Sequence, residues 1–106
     1  MHYETLHTET RDGFEIVFSA MPETETPEGH FDDDGETVAA IYSGEFAWFI
    51  ARVEAKKQGI TLGTAYLGGC CYRTASEFVT EGSYYDDMVN AAIAEARSTL
   101  HSLGAA

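Results

Sequence analysis

The stretch "AWFIARVEAKKQGITLGTAYLGGCCY", Ala47 to Tyr72, decides the fold. Ala47, Phe49, Ala51 and Val53 fall on one side of an extended chain, and Phe46, Trp48, Ile50 and Arg52 on the other. Both sides begin apolar, which predicts a strand in the centre of a sheet or one with a contact face. Lys56-Lys57-Gln58-Gly59 turns the chain, and Ile60 to Tyr72 returns as a second strand, bent at Gly68-Gly69.

Upstream, residues 2–9 suit a strand rich in Thr and Tyr. Asp12-Gly13 follows, a strong hairpin signal because such a turn needs positive φ. Phe14, Ile16 and Phe18 then alternate with Glu15, Val17 and Ser19, so the first set should face the core. Residues 21–35, with two prolines, two glycines and six acids, read as a loop, mobile around Glu23 to Glu28. Asp33 with Glu36 three residues on forms a potential capping box for a short helix carrying Val38, Ile41 and Tyr42 and closed by Gly44.

Downstream of the second hairpin the period changes. Thr74 with Glu77 predicts a short capped helix, and Gly82 interrupts it. Ser83 and Asp86 mark the start of a long one. Its stripe is Tyr85, Met88, Val89, Ala92, Ala96, Leu100 and Leu103, and Gly104 ends it. The expected fold is α+β in one domain, residues 1–106: an antiparallel four-stranded sheet from two hairpins, order β-β-α-β-β-α-α, with the C-terminal helix across one face. How the hairpins join is open at this level.

Charge is the extreme feature. Eighteen acidic residues stand against six basic ones, a net of −12. Direct binding to nucleic acid is disfavoured, because phosphates require basic partners, and an acidic membrane surface would repel the chain. No apolar run approaches the roughly 20 residues of a membrane span. The first residues have neither a basic start nor an apolar core, so a secretory signal is not expected. The two cysteines then suggest reduced thiols in a cytoplasm. Between Arg11 and Arg52 there is no Lys or Arg at all, while Asp12, Glu15, Glu23, Glu25, Glu28, Asp32, Asp33, Asp34, Glu36 and Glu45 lie in that interval. One face or edge should therefore be strongly negative. Solubility or a salt-adapted proteome explains such acidity without any partner; a basic protein partner explains it functionally.

The motifs that invite chemistry do not complete themselves. Cys70 and Cys71 are adjacent, so in a strand they point to opposite faces and cannot ligate one metal together. No other cysteine completes a structural zinc site, and His2, His7, His30 and His101 form no catalytic signature with them. "GTAYLGG" lacks both the dinucleotide and the Walker pattern. Glycines in a strand instead allow close approach, here of the C-terminal helix. An EF-hand aligned on Gly35 puts Asp32 and Asp34 at positions 3 and 5, but His30 at 1 and Ile41 at 12, so both ends fail. A weak divalent site on Asp32, Asp34 and Glu36 is the residue of that test, and no metal or cofactor is expected. Asp86 and Asp87 belong in the first turn of a helix, where the dipole favours them. Trp48 is expected in the core or, on a less covered sheet face, as an interface anchor.

The combination "WFIARVEAKKQGITLGTAYLGGCCY" (48–72) and "YYDDMVNAAIAEAR" (84–97) resembles small acidic accessory proteins of plasmids, integrative elements and phages, over residues 10–103. Proteins of that size and setting are similar to anti-CRISPR and anti-restriction inhibitors, although no motif diagnostic of either is present. The resemblance implies a non-catalytic inhibitor in the cytoplasm of a bacterial host, with no enzyme activity. Its acidic face (Glu15, Glu23, Glu25, Glu28, Asp32, Asp33, Asp34 and Glu36, with Trp48 beside it) would mimic DNA. That face would dock on a basic nucleic-acid-binding protein such as a CRISPR effector subunit. The alternative is a homodimeric protein-binding module whose acidity serves only solubility. A third reading, an enzyme or redox switch, would rest on Cys70 and Cys71.

Overall fold

The structure, a computed structural model, describes residues 2–104. It is α+β, with a four-stranded antiparallel sheet in the order β1-β2-β3-β4. The strands are β1 (Glu4–Arg11), β2 (Phe14–Pro22), β3 (Ala47–Lys57) and β4 (Ile60–Tyr72). Helix α1 (Glu36–Tyr42) lies in the crossover between β2 and β3, and α2 (Tyr84–Ser102) closes the chain. The two hairpins thus join through β2 and β3, and β3 is a central strand.

Both hairpins turn through two left-handed residues, Asp12-Gly13 (φ 55° and 82°) and Gln58-Gly59 (φ 52° and 78°). That twist matches the right-handed twist of the strands it joins. The turns lie at one end of the sheet, where the Lys57 ammonium stands beside Gly13. The crossover leaves from the other end, where Pro22 pairs with Phe49 and Phe49 with Cys70.

One sheet face is buried. Phe14, Ile16, Phe18 and Ala20 of β2, with Phe49, Ala51, Val53 and Ala55 of β3, face Tyr85, Met88, Val89, Ala92, Ile93 and Ala96 of α2. The small residues in this contact let the helix come down onto the backbone of β4. Phe78 plugs the end of the interface, 5.4 Å from the ring of Phe18 and 5.3 Å from that of Tyr72. It sits on a 3₁₀ turn, Ala75–Val79, rather than on the expected α-helix. The capping box of Thr74 and Glu77 is present, but only one tight turn follows before Gly82 takes a left-handed φ.

Four other expectations shift. Helix α1 starts behind Gly35, not Asp33; the Asp33 carboxylate instead accepts the N–H and hydroxyl of Thr37. None of its residues is buried, so Val38, Ile41 and Tyr42 form no core stripe. Ser83 makes no side-chain cap, and the Asp86 carboxylate, expected to complete the box, instead pairs with Arg11. Along α2, Ile93 belongs to the buried stripe, whereas Leu103 is exposed.

Of the glycines expected against α2, only Gly63 is there. Gly68 and Gly69 form a bulge: one residue of β3 separates Phe49 from Ala51, but two residues of β4 separate Leu67 from Cys70. The extra residue restores phase, so Leu67 and Cys70 both face the core. Gly69 takes φ +66°, a conformation that other residues resist.

Candidate protein-binding surface

The acidic crossover occupies the end of the sheet away from the hairpin turns. Hydrogen bonds fasten its first residues to the sheet. The Glu23 carboxylate accepts three backbone N–H groups: Thr24 at 2.9 Å, Glu25 at 3.2 Å and Gly69, in the β4 bulge, at 2.7 Å. Partial burial alone would raise its pKa, but these bonds together hold it below the ordinary carboxylate value. Trp48, on the sheet face opposite α2, donates its indole N–H to the Glu25 carbonyl at 2.8 Å. Its ring meets those of His30 and Phe31 at 5.3 and 5.6 Å. Pro27 is buried.

The expected contact residues therefore divide. Glu25, Asp32, Asp34 and Glu36 are exposed. Glu28 is exposed as well, and accepts the Tyr42 hydroxyl at 2.8 Å, which lowers its pKa. Glu23 and Asp33 are occupied by internal hydrogen bonds. Trp48 is half covered by the crossover, so it is a wall for that segment and not a bare anchor. Glu15 stands apart: it pairs with Lys56 near the hairpin turns. Seven residue steps along β2 separate it from Pro22, about 23 Å at roughly 3.3 Å per step.

Elsewhere part of the charge is locally compensated. Arg11 bridges Glu9 and Asp86, Arg52 approaches Glu54, and Arg97 approaches Asp12. The crossover presents exposed Glu25, Glu28, Asp32, Asp34, Glu36 and Glu45 on a segment without Lys or Arg; the stretch from Thr74 to Ala96 also lacks them and carries exposed Glu81, Asp86, Asp87 and Glu95. Such a negative surface is suited chemically to meeting a row of guanidinium and ammonium groups.

Burial works against thiolate formation at both cysteines. Cys70 is buried on the α2 side and donates to the Leu67 carbonyl at 3.3 Å; burial pushes its pKa up to about 11. Burial raises that of Cys71 too, whereas an attacking thiolate needs a lowered value. Among the described residues, no group of three or more His, Cys, Asp and Glu is placed to hold a metal ion. Among them also, no helix is long and apolar enough to cross a membrane.

A second polar cluster went unread in the sequence. Tyr85, on α2, donates its hydroxyl to Glu9 of β1 at 2.5 Å. His7 stands 3.4 Å from the same carboxylate, and Arg11 3.0 Å from its other oxygen. The Tyr85 hydroxyl lowers the pKa of Glu9, while burial first and the carboxylate second raise that of Tyr85. A phenol held protonated in this way is a clasp between strand and helix, not a base. Seventy-six residues separate the pair, and only the stripe position of Tyr85 was visible beforehand.

Comparison with protein-family models, curated proteins and solved structures finds no match. The chain is thus described by its fold and surface: an α+β sheet-and-helix domain with a fastened, acidic crossover.

Proposed function

We propose that this chain is a non-catalytic inhibitor of a host nucleic-acid-targeting defence complex. It docks its acidic crossover on the target's nucleic-acid-binding surface, and a CRISPR effector subunit is the first target to test. The observation that carries the reading is the crossover itself: Glu25, Glu28, Asp32, Asp34 and Glu36 exposed on one braced segment that contains no Lys or Arg. Carboxylates presented there replace phosphates against Lys and Arg, and occupancy alone inhibits. The high thiol pKa values also leave catalysis without an activated nucleophile at the "GGCC" motif. The test is competition: purified protein is titrated into an effector bound to labelled DNA at low and high salt. Displacement that weakens as salt rises supports the proposal. No displacement and no pull-down of an effector or restriction subunit would remove it.

A homodimeric module is the second reading. It rests on a different end of the molecule, where Ile60 and Leu103 are 62% and 71% exposed beside Leu62 and Leu100. A tight dimer in sedimentation that persists at high salt, and is lost in Leu103→Glu, favours it.

A further inference from the structure

The crossover is braced within itself but tied to the body at few points. Asp33 binds Thr37 and Glu28 binds Tyr42, so loop and helix α1 are cross-linked to each other. Helix α1 buries no residue. The ties to the sheet cluster at its first residues: the Glu23 carboxylate on Gly69, the Glu23 N–H on the Trp48 carbonyl at 3.1 Å, and the Trp48 indole against Glu25, His30 and Phe31. The seat for the carboxylate is built by the glycine pair. A Cβ on Gly68 would lie 3.1 Å from the Glu23 Oε2, and one on Gly69 would lie 3.5 Å from the Trp48 ring.

We propose that residues 23–46 form a strap, latched where Glu23 enters the Gly68-Gly69 bulge, that opens as one unit while the sheet and α2 stay folded. Opening uncovers Trp48 and the recess of about 330 Å³ beside it. Phe31 of the strap forms one wall of that recess, and β4 from Leu67 through Cys70 and Cys71 to Tyr72, with Tyr84 of α2, forms the rest. Segments with few buried apolar contacts open at free energies below that of global unfolding, and this one has a single cluster of attachments. The glycine pair that resembles a catalytic loop in the sequence is, on this view, the catch of a latch. The inference needs no partner and stands apart from the inhibitor reading.

Trp48 is the protein's only tryptophan, so its emission reports the strap directly. The experiment compares the full-length protein with Glu23→Ala and with Gly68→Ala, which crowds the carboxylate and leaves its charge in place. Acrylamide quenching of Trp48 and the rate of Cys71 labelling by a neutral disulfide reagent are measured alongside far-UV circular dichroism and the urea midpoint. Both variants should red-shift Trp48 and speed quenching and Cys71 labelling several-fold, while the dichroism stays that of the parent. Glu36→Gln, which leaves the latch intact, should behave as the parent. Unchanged Trp48 and Cys71 signals in Glu23→Ala would overturn the latch. Exposure of Trp48 only together with loss of the dichroism would overturn separate opening.

Discussion

A Cβ on Gly63 would lie 2.0 Å from the Ala92 carbonyl oxygen and 2.7 Å from the Ala96 amide nitrogen. Strand β4 and helix α2 therefore touch backbone to backbone, and the Thr99 hydroxyl reinforces the approach by donating to the Leu62 carbonyl at 3.0 Å. Gly63→Ala cannot be absorbed by turning a side chain, since both neighbours are main-chain atoms. The helix must lift from its layer, and the expected loss is about 3 kcal/mol or more. Urea unfolding checks it. A loss within a few tenths of a kcal/mol would mean that α2 does not sit where the geometry places it. The alanine change at Gly68, whose neighbour is the flexible end of Glu23, should cost far less.

The clasp of Tyr85 and Glu9 gives stability a pH dependence at both ends. Glu9 has a folded pKa below its ordinary value, here 4.5. Its contribution is therefore present above pH 4.5 and is lost as pH falls through the lower folded value. Tyr85 has a folded pKa above its ordinary 10.0. Its contribution is complete below pH 10 and is lost as pH rises through the raised folded value. Tyr85→Phe should cost about 1.5–3 kcal/mol at neutral pH, as expected for a hydrogen bond to a charged acceptor. It should also flatten both limbs of the stability profile. Denaturation of parent and variant from pH 3 to 11 provides the check, and parallel profiles would show that the clasp contributes nothing to the pH dependence.

The legible parts of the fold were those with local signals. Asp12-Gly13 and Lys57-Gln58-Gly59 announce their turns, the alternation from Phe14 to Phe18 chooses a face, and the stripe from Tyr85 to Ala96 lays α2 on the sheet. What stayed hidden depends on partners distant in sequence. Glu23 looks like one more acid in a loop until Gly69, 46 positions away, donates to it. Asp33 looks like a cap for Glu36 until Gly35 takes a left-handed φ and hands it Thr37 instead. The bulge at Gly68-Gly69 could be read as a bend, but its occupant could not. In the candidate surface the same limit holds: composition locates the acids in one segment, yet only the folded chain separates exposed Asp32 and Asp34 from fastened Glu23 and remote Glu15.

Salt should move folding and target binding in opposite directions. With a net charge of −12 the folded state repels itself, and the crossover concentrates that repulsion at one end. Raising ionic strength from about 0.1 M to about 1 M shortens the Debye length from about 10 Å to about 3 Å. Thermal unfolding should shift upward by several degrees over that range, equally in NaCl and KCl. Binding to a basic target through the crossover should weaken over the same range. A melting temperature that is flat or falls with salt would show that repulsion among these acids is not a significant term. Affinity that holds steady with salt would point to the apolar end around Ile60 and Leu103.

Neutralising the acid cluster should separate presentation from structure. Asp32 and Asp34 are exposed, and Asp34 has φ 58°, which asparagine adopts readily. Asp32→Asn with Asp34→Asn therefore removes two charges with little strain. Trp48 emission and the urea midpoint should match the parent, while competition against DNA on a basic target weakens and its salt dependence becomes shallower. Asp33→Ala removes the acceptor for the Thr37 N–H and hydroxyl. It should loosen α1 at a cost of about 1 kcal/mol, the usual effect of losing a cap, visible as faster amide exchange at Thr37. Its effect on binding should come with that loosening and be reproduced by Thr37→Ala, which keeps the carboxylate. If Asp32→Asn with Asp34→Asn leaves competition intact while Thr37→Ala abolishes it, the contact is made by the shape of the crossover and not by its charge.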